Sequence, residues 1–277
     1  MALFESNLPE APKIGLCLCG GGARGIAHAG VLQALCEQGI DIQYLSGASM
    51  GSIVGAFFAE GLNPKQILAI LSKPRFYKAF RIGIPSEGLT DLGYLKSMLK
   101  DNIKSDDFSD LQKKLFVCVS NLNTGQYEII SEGKLSQVVI ASSAIPLIFK
   151  PVRMNNALYV DGGMLNNLPV EPLRDICQVV IGVNVNGHQP IPEKIEGLWA
   201  IGERCANLML WENVQKRITL CDIIIDVKEA YKYGVFDFVA AEQIYQAGYQ
   251  QTIAQMPEIL LKINGKTKKN KLLRFWG

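Results

Sequence analysis

Three short stretches of this 277-residue chain carry residue types and spacings that chemistry requires. Gly47-Ala48-Ser49-Met50-Gly51 reads G-x-S-x-G, the turn that holds a serine hydroxyl clear of the backbone between a strand and a helix. Its glycines, Gly47 and Gly51, let backbone and substrate approach where a Cβ would clash. Upstream, Gly20-Gly21-Gly22-Ala23-Arg24-Gly25 precedes a helix pattern and exposes consecutive backbone N–H groups. At a helix N-terminus such donors, helped by the dipole, suit the negative oxygen of a tetrahedral intermediate. Downstream, Asp161-Gly162-Gly163 closes an apolar strand pattern with a carboxylate beside two residues that permit close approach. A nucleophile and a donor-rich loop on neighbouring strand ends point to acyl transfer.

A free serine hydroxyl is a poor nucleophile and needs a base within hydrogen-bond reach. The chain has two histidines, His28 and His188. His28 lies within the first helix pattern among Ile26, Ala27, Gly30 and Val31, where a histidine packs or caps as readily as it catalyses. His188, in Asn186-Gly187-His188-Gln189-Pro190, completes the order Ser49, Asp161, His188 of an α/β-hydrolase triad. Asp161 alone could instead serve Ser49 as a dyad, or simply open an Asp-Gly turn. The residues leave these arrangements open.

The glycine loop also has a second reading. Gly20-x-Gly22-x-x-Gly25 fits the G-x-G-x-x-G dinucleotide fingerprint, and Asp41 follows 21 positions beyond Gly20. Asp41 opens the second strand, however, whereas a ribose-binding acid stands at that strand's carboxyl end. Ser46-Gly47-Ala48-Ser49 occupies that end. A nucleotide- or lipid-binding module with a vestigial elbow is therefore the rival to an enzyme, and no cofactor is expected.

To hold these residues in place, strand and helix must alternate, and over much of the chain they do. Ile14–Cys19 and Ile42–Leu45 read as strands, Gly25–Gln38 and Ser49–Glu60 as helices. Asn63-Pro64 starts another helix, with Asn as cap and Pro in the first turn. Leu115–Ser120 and Gln126–Ser131 form a hairpin around Asn123-Thr124-Gly125. A helix near 134–144, a strand at Ala157–Val160, buried strands at Val179–Val185 and Ile223–Val227, and a long helix near 237–263 follow. Residues 73–110 break the rhythm: Phe76, Tyr77, Phe80, Ile82 and Ile84 interleave with Lys73, Arg75, Lys78 and Arg81. That composition suits either a cover for an apolar groove or a core-edge segment with solvated basic residues. With no repeat and no low-complexity linker, residues 1–277 read as one domain. The alternation predicts a three-layer α/β/α fold with a mostly parallel central sheet.

A hydrophobic content of 48% with 19% charged residues is that of a globular protein with a sizeable core. The net charge of +2 gives no strong push toward nucleic acid. The charge is unevenly spread: Lys262, Lys266, Lys268, Lys269, Lys271 and Arg274 make an acid-free tail over about 262–277, leaving the body net negative. Mixed with Leu272, Leu273, Phe275 and Trp276, this tail fits peripheral contact with an anionic membrane as well as a solvated terminus. The seven cysteines are odd in number and have no C-x-x-C pair, which favours a reducing, cytoplasmic setting. The first twelve residues have no basic and apolar signal-peptide pattern, and no apolar run reaches the roughly 18 residues of a spanning helix. Neither histidine has a cysteine or carboxylate at ligand spacing, so no metal site is expected.

In their order and spacing, the three signatures resemble those of the patatin-like phospholipases. Ala141-Ser142-Ser143-Ala144-Ile145-Pro146, with Phe149 and Pro151-Val152, is similar to a segment these proteins carry ahead of the Asp-Gly motif. The resemblance runs from about Ile14 to Pro169 and implies a lipid acyl hydrolase that works with a Ser–Asp dyad and no catalytic histidine. Ser49 would be the nucleophile, Asp161 the proton acceptor and the Gly20–Gly25 backbone the oxyanion hole. The substrate would be a phospholipid or another acyl ester. An ordinary aspartate, with a pKa near 3.9, is a weak base for serine, so this reading requires a desolvated Asp161 with a raised pKa.

Overall fold

The computed structural model describes residues 12–74, 92–187 and 195–275. Eight strands form one sheet: β1 (Ile14–Leu18), β2 (Tyr44–Gly47), β3 (Lys114–Asn121), β4 (Gln126–Ile130), β5 (Val152–Met154), β6 (Ala157–Asp161), β7 (Val179–Asn184) and β8 (Ile223–Asp226). The hydrogen-bonded path runs β5–β6–β3–β2–β1–β7–β8, and β4 pairs with β3. From β3 through β8 the neighbours are parallel, whereas β4, β5 and β6 are joined by antiparallel ladders. The sheet is thus mixed, with a parallel body and an antiparallel margin. Every residue of β1 and β7 is buried, which is why both read as continuous apolar runs.

Helices flank the sheet in an α/β/α arrangement: α1 (Ala27–Glu37), α2 (Met50–Glu60), α3 (Pro64–Leu71), α4 (Gly93–Asn102), α5 (Leu135–Ser142), α6 (Glu171–Arg174), α7 (Leu198–Ile218) and α8 (Ala241–Phe275). Asn63 and Gln66 exchange reciprocal hydrogen bonds in a capping box that starts α3, as its Asn-Pro signal predicts. Helix α1 lies against α8 so closely that a Cβ on Gly30 would stand 2.0 Å from the Tyr245 carbonyl oxygen. Helix α8 continues well past residue 263, so the basic tail extends a helix as far as Phe275.

The expected cover over 73–110 lies partly outside the described residues. Its described part contributes α4 and a short turn at Phe108–Asp110, whose Leu95, Met98, Leu99 and Phe108 are buried in the core.

The feature that positions the site is the way three strands meet on β3. Val117 pairs with Gly47 of β2 and Ile130 of β4, so β2 and β4 lie on opposite edges. Val119 pairs with Glu128 of β4 and Asp161 of β6, which puts β6 on the edge that β2 has just left. Because β2 runs parallel to β3 and β6 antiparallel, their carboxyl ends point at each other across Cys118.

Candidate active site

The elbow forms where β2 stops. Ser49 has φ 51° and ψ −125°, a positive-φ conformation uncommon for a side-chain-bearing residue and frequent at functional turns. The surroundings hold it there. Its N–H donates to Ser142 Oγ at 2.9 Å, and the Ser142 hydroxyl donates to the Cys118 carbonyl at 2.6 Å. Ser52 Oγ donates to the Ser49 carbonyl at 2.6 Å. A Cβ on Gly51 would sit 2.1 Å from the Leu18 carbonyl oxygen, a backbone atom with no rotamer to escape into. Glycine is what lets α2 seat against β1 directly after the serine.

Asp161 ends β6 and caps a single turn, Gly162–Met164. Ser49 Oγ lies 2.6 Å from Asp161 Oδ2, across 112 positions of sequence. The other carboxylate oxygen accepts from the Gly163 N–H at 2.8 Å. The backbone of Asp161 is fixed on both sides, its N–H donating to Ala144 O at 2.9 Å and its carbonyl accepting from Ser120 Oγ at 2.9 Å. Both Ser49 and Asp161 are only 7% exposed, so the carboxylate loses most of its water. The bonds from Ser49 and Gly163 favour the charged form, but burial dominates and pushes the Asp161 pKa from 3.8 up to about 6.

His28 is placed elsewhere. It is fully buried, and its Nε2 lies 2.7 Å from the Cys19 carbonyl oxygen. A carbonyl can only accept, so Nε2 carries the hydrogen and Nδ1 faces the interior with no partner among the described residues. Burial holds the His28 pKa down to about 4. A neutral ring therefore anchors the end of β1, ahead of the glycine loop. His188 lies outside the described residues.

The loop donors divide clearly. The Gly20 N–H donates to Asn167 Oδ1 at 3.0 Å, Ala23 N–H to Val235 O at 2.8 Å and Arg24 N–H to Gly21 O at 3.2 Å. Among the described residues, the N–H groups of Gly21 and Gly22 meet no acceptor. The Arg24 side chain turns inward. Its Nε donates to Tyr233 O at 2.7 Å, and Nη1 reaches Asn207 Oδ1 at 3.2 Å and Asn186 Oδ1 at 3.4 Å. That guanidinium braces the loop from behind. Gly20 also touches the elbow, since a Cβ there would stand 2.9 Å from Ser49 Cβ.

All three motifs thus converge, Gly162 and Gly163 included. A family model described as patatin-like phospholipase matches residues 16–174, more than half of the chain. The chain belongs to the patatin-like phospholipase family. It is 26% identical over 268 residues to lysophospholipase nte1 of Aspergillus niger, covering 86% of this chain and 18% of that protein. With an uncharacterized NTE family protein of Mycobacterium tuberculosis it shares 30% identity over 197 residues, or 67% of this chain and 52% of that one. The chain therefore spans about a fifth of the fungal relative and half of the mycobacterial one. Among solved structures, VipD from Legionella pneumophila superimposes with TM-score 0.52 at 17% identity, covering 90% of this chain and 67% of VipD. Human GIVD cytosolic phospholipase A2 gives TM-score 0.52 at 11% identity, with 93% of this chain and 60% of the enzyme covered. At these identities the two structures establish a shared fold.

Two residues of this patatin-like site escape a reading by motif. Ser142, which receives the Ser49 N–H, sits inside an apolar helix, and its sequence signal was a family-like segment, Ala141–Pro146, that gave it no role. Asn167 reaches the loop from beyond the Asp-Gly-Gly turn, and Asn166-Asn167 looks like any loop dipeptide. Among the described residues, no cluster of three histidine, cysteine or acidic side chains could hold a metal ion. No described helix is long and apolar enough to cross a membrane.

Proposed function

We propose that this chain is a serine lipid acyl hydrolase that cleaves phospholipid or other lipid acyl esters through a Ser49–Asp161 dyad. The observation that carries the reading is the 2.6 Å contact between Ser49 Oγ and Asp161 Oδ2. It is supported by the raised pKa of Asp161 and by the absence of His28 from the pair. Membership of the patatin-like family and the lysophospholipase name of the fungal relative agree with it.

In the first step Asp161 takes the hydroxyl proton as Ser49 Oγ attacks the ester carbonyl carbon. Negative charge collects on the carbonyl oxygen, and the Gly21 and Gly22 N–H groups are the free donors of the loop to receive it. Asp161 returns the proton to the departing alcohol or lysolipid oxygen, leaving an acyl-serine. Water then gives a proton to Asp161 and attacks the acyl carbon. As that intermediate collapses, the bond to Ser49 Oγ breaks, Asp161 gives its proton to that oxygen, and the fatty acid leaves with the dyad restored. No cofactor enters either step. The basic end of α8 would give peripheral contact with an anionic membrane. The seven unpaired cysteines fit a reducing, cytoplasmic location.

The test is covalent labelling with a fluorophosphonate alongside turnover of a short-chain ester. Wild type and His188→Ala are expected to label and turn over, whereas Ser49→Ala and Asp161→Asn lose both. Loss of activity in His188→Ala would replace the dyad with the Ser49, Asp161, His188 triad. A wild type that neither labels nor turns over, even with lipid vesicles, would leave a binding module.

A further inference from the structure

The amide of Asn167 is a buried side chain that lies against both halves of the site. It is fully buried, on the segment that follows the Asp161 turn. Its Oδ1 accepts the Gly20 N–H at 3.0 Å and is the nearest atom to where a Cβ would lie on either Gly20 (2.6 Å) or Gly163 (2.5 Å). One oxygen therefore sits in the seam between the glycine loop and the turn that carries the base. The other end of the amide, Nδ2, is buried with no partner among the described residues. A donor left unpaired in the interior is unfavourable for folding, and a residue kept at that cost calls for an explanation outside stability. Its neighbour sets the contrast. Asn166 is engaged at both ends of its amide, with Nδ2 on both Glu171 carboxylate oxygens at 3.1 and 3.0 Å and Oδ1 accepting the Leu168 N–H at 3.2 Å.

We propose that Asn167 is a positioning residue for ester hydrolysis, locking Gly20 so that the Gly21 and Gly22 N–H groups stay aimed at the oxygen of the carbonyl that Ser49 attacks. By engaging Gly20, Asn167 fixes the phase of the peptides that follow. The adjacent loop donors, Ala23 and Arg24, are likewise engaged, which among the described residues leaves the two between Gly20 and Ala23 for substrate. The inference rests on the hydrolase reading above, and it concerns how the oxyanion donors are held, not which residues react.

The experiment compares Asn167→Leu, close in size but without an acceptor, with Asn167→Asp, which keeps an acceptor oxygen in the same place. Turnover of a short-chain ester and hydrogen exchange at the Gly20 amide are measured on both. Misplaced oxyanion donors cost rate in the transition state, so Asn167→Leu is expected to lose about 10- to 100-fold in kcat with KM changed less than about twofold. Its Gly20 amide should exchange faster than in wild type, and Asn167→Asp should restore the protection. If Asn167→Leu does not fold, Asn167→Ala carries the same comparison. An active wild type with kcat unchanged in Asn167→Leu, or with Gly20 equally protected in all forms, would overturn this inference alone. A wild type without turnover or labelling would overturn the hydrolase reading, and this one with it.

Discussion

Asp161 and His28 are two buried titratable residues whose burial acts on stability in opposite senses. Between pH 3.8 and about 6 the folded protein keeps a proton on Asp161 that the unfolded chain has released, so this residue makes the protein less stable as pH rises through that window. Between about 4 and 6.5 the unfolded chain holds a proton on His28 that the folded ring refuses, so its contribution grows with pH. The two windows overlap and partly cancel in wild type, and a single variant separates them. Asp161→Asn removes the ionisation, and its melting temperature should exceed that of wild type by more at pH 8 than at pH 4.5. A shift of about two pH units corresponds to roughly 3 kcal/mol when the carboxylate is fully ionised. Equal differences at the two pH values would mean that Asp161 is not desolvated. The same group sets the rate profile: kcat/KM should rise tenfold per pH unit below about 6 and level off above it, because only the carboxylate accepts the serine proton. A profile flat from pH 4 to 7 in active enzyme would remove Asp161 as the base.

At the scale of elements, the seat of α2 on β1 allows no side chain at its second residue. Gly51→Ala would drive a methyl group into the Leu18 carbonyl, and the protein should lose more than about 3 kcal/mol or fail to accumulate as folded material. A urea melt measures it. The elements that carry the chemistry were the legible ones. Ile14, Leu16 and Leu18, and the run from Val179, are apolar because both sheet faces are covered, and the Asn63-Pro64 cap announces its helix. Strand β2 was read too early, at Ile42–Leu45, because its last two residues are Ser46 and Gly47. They pair with Cys17 and Leu18 all the same, and β2 starts only at Tyr44. Helix α7 gave no signal at all. Its inward side meets the site with polar groups: Asn207 on Arg24, Asn213 on the Met164 carbonyl and Arg217 on Glu171. Leu198, Ile201, Leu208 and Met209 are exposed while Val214 is fully buried, so apolar residues fall on both sides of the helix and periodicity fails. The contact between Ser49 and Asp161 was legible only as two motifs. What joins them is the register on β3, which pairs residues too distant in sequence for any local pattern to report.

For the whole molecule, the end of α8 links the basic tail to the sheet. Lys262 Nζ donates to the Asp222 carbonyl at 3.0 Å, and Lys266 Nζ lies 3.0 Å from the Asp222 carboxylate. Those two cations are spent within the protein, so the proposed attraction of the tail to an anionic membrane would rest on Lys268, Lys269, Lys271 and Arg274. Ending the chain after Lys266 keeps the link to Asp222. Such a chain should bind vesicles of anionic lipid more weakly, by about 1 kcal/mol per basic residue removed, with the difference shrinking as salt is raised. Unchanged binding in a vesicle-sedimentation assay would exclude the tail as an anchor. The meeting of β2 and β6 on one edge of β3 has its own consequence for the protein during synthesis. A growing chain presents Ser49 early, but under the proposed dyad its base arrives only when a strand more than a hundred residues later closes the gap opposite Cys118. Until then the proposed dyad leaves the hydroxyl an ordinary alcohol, so an unfinished or misregistered chain would carry no activated nucleophile.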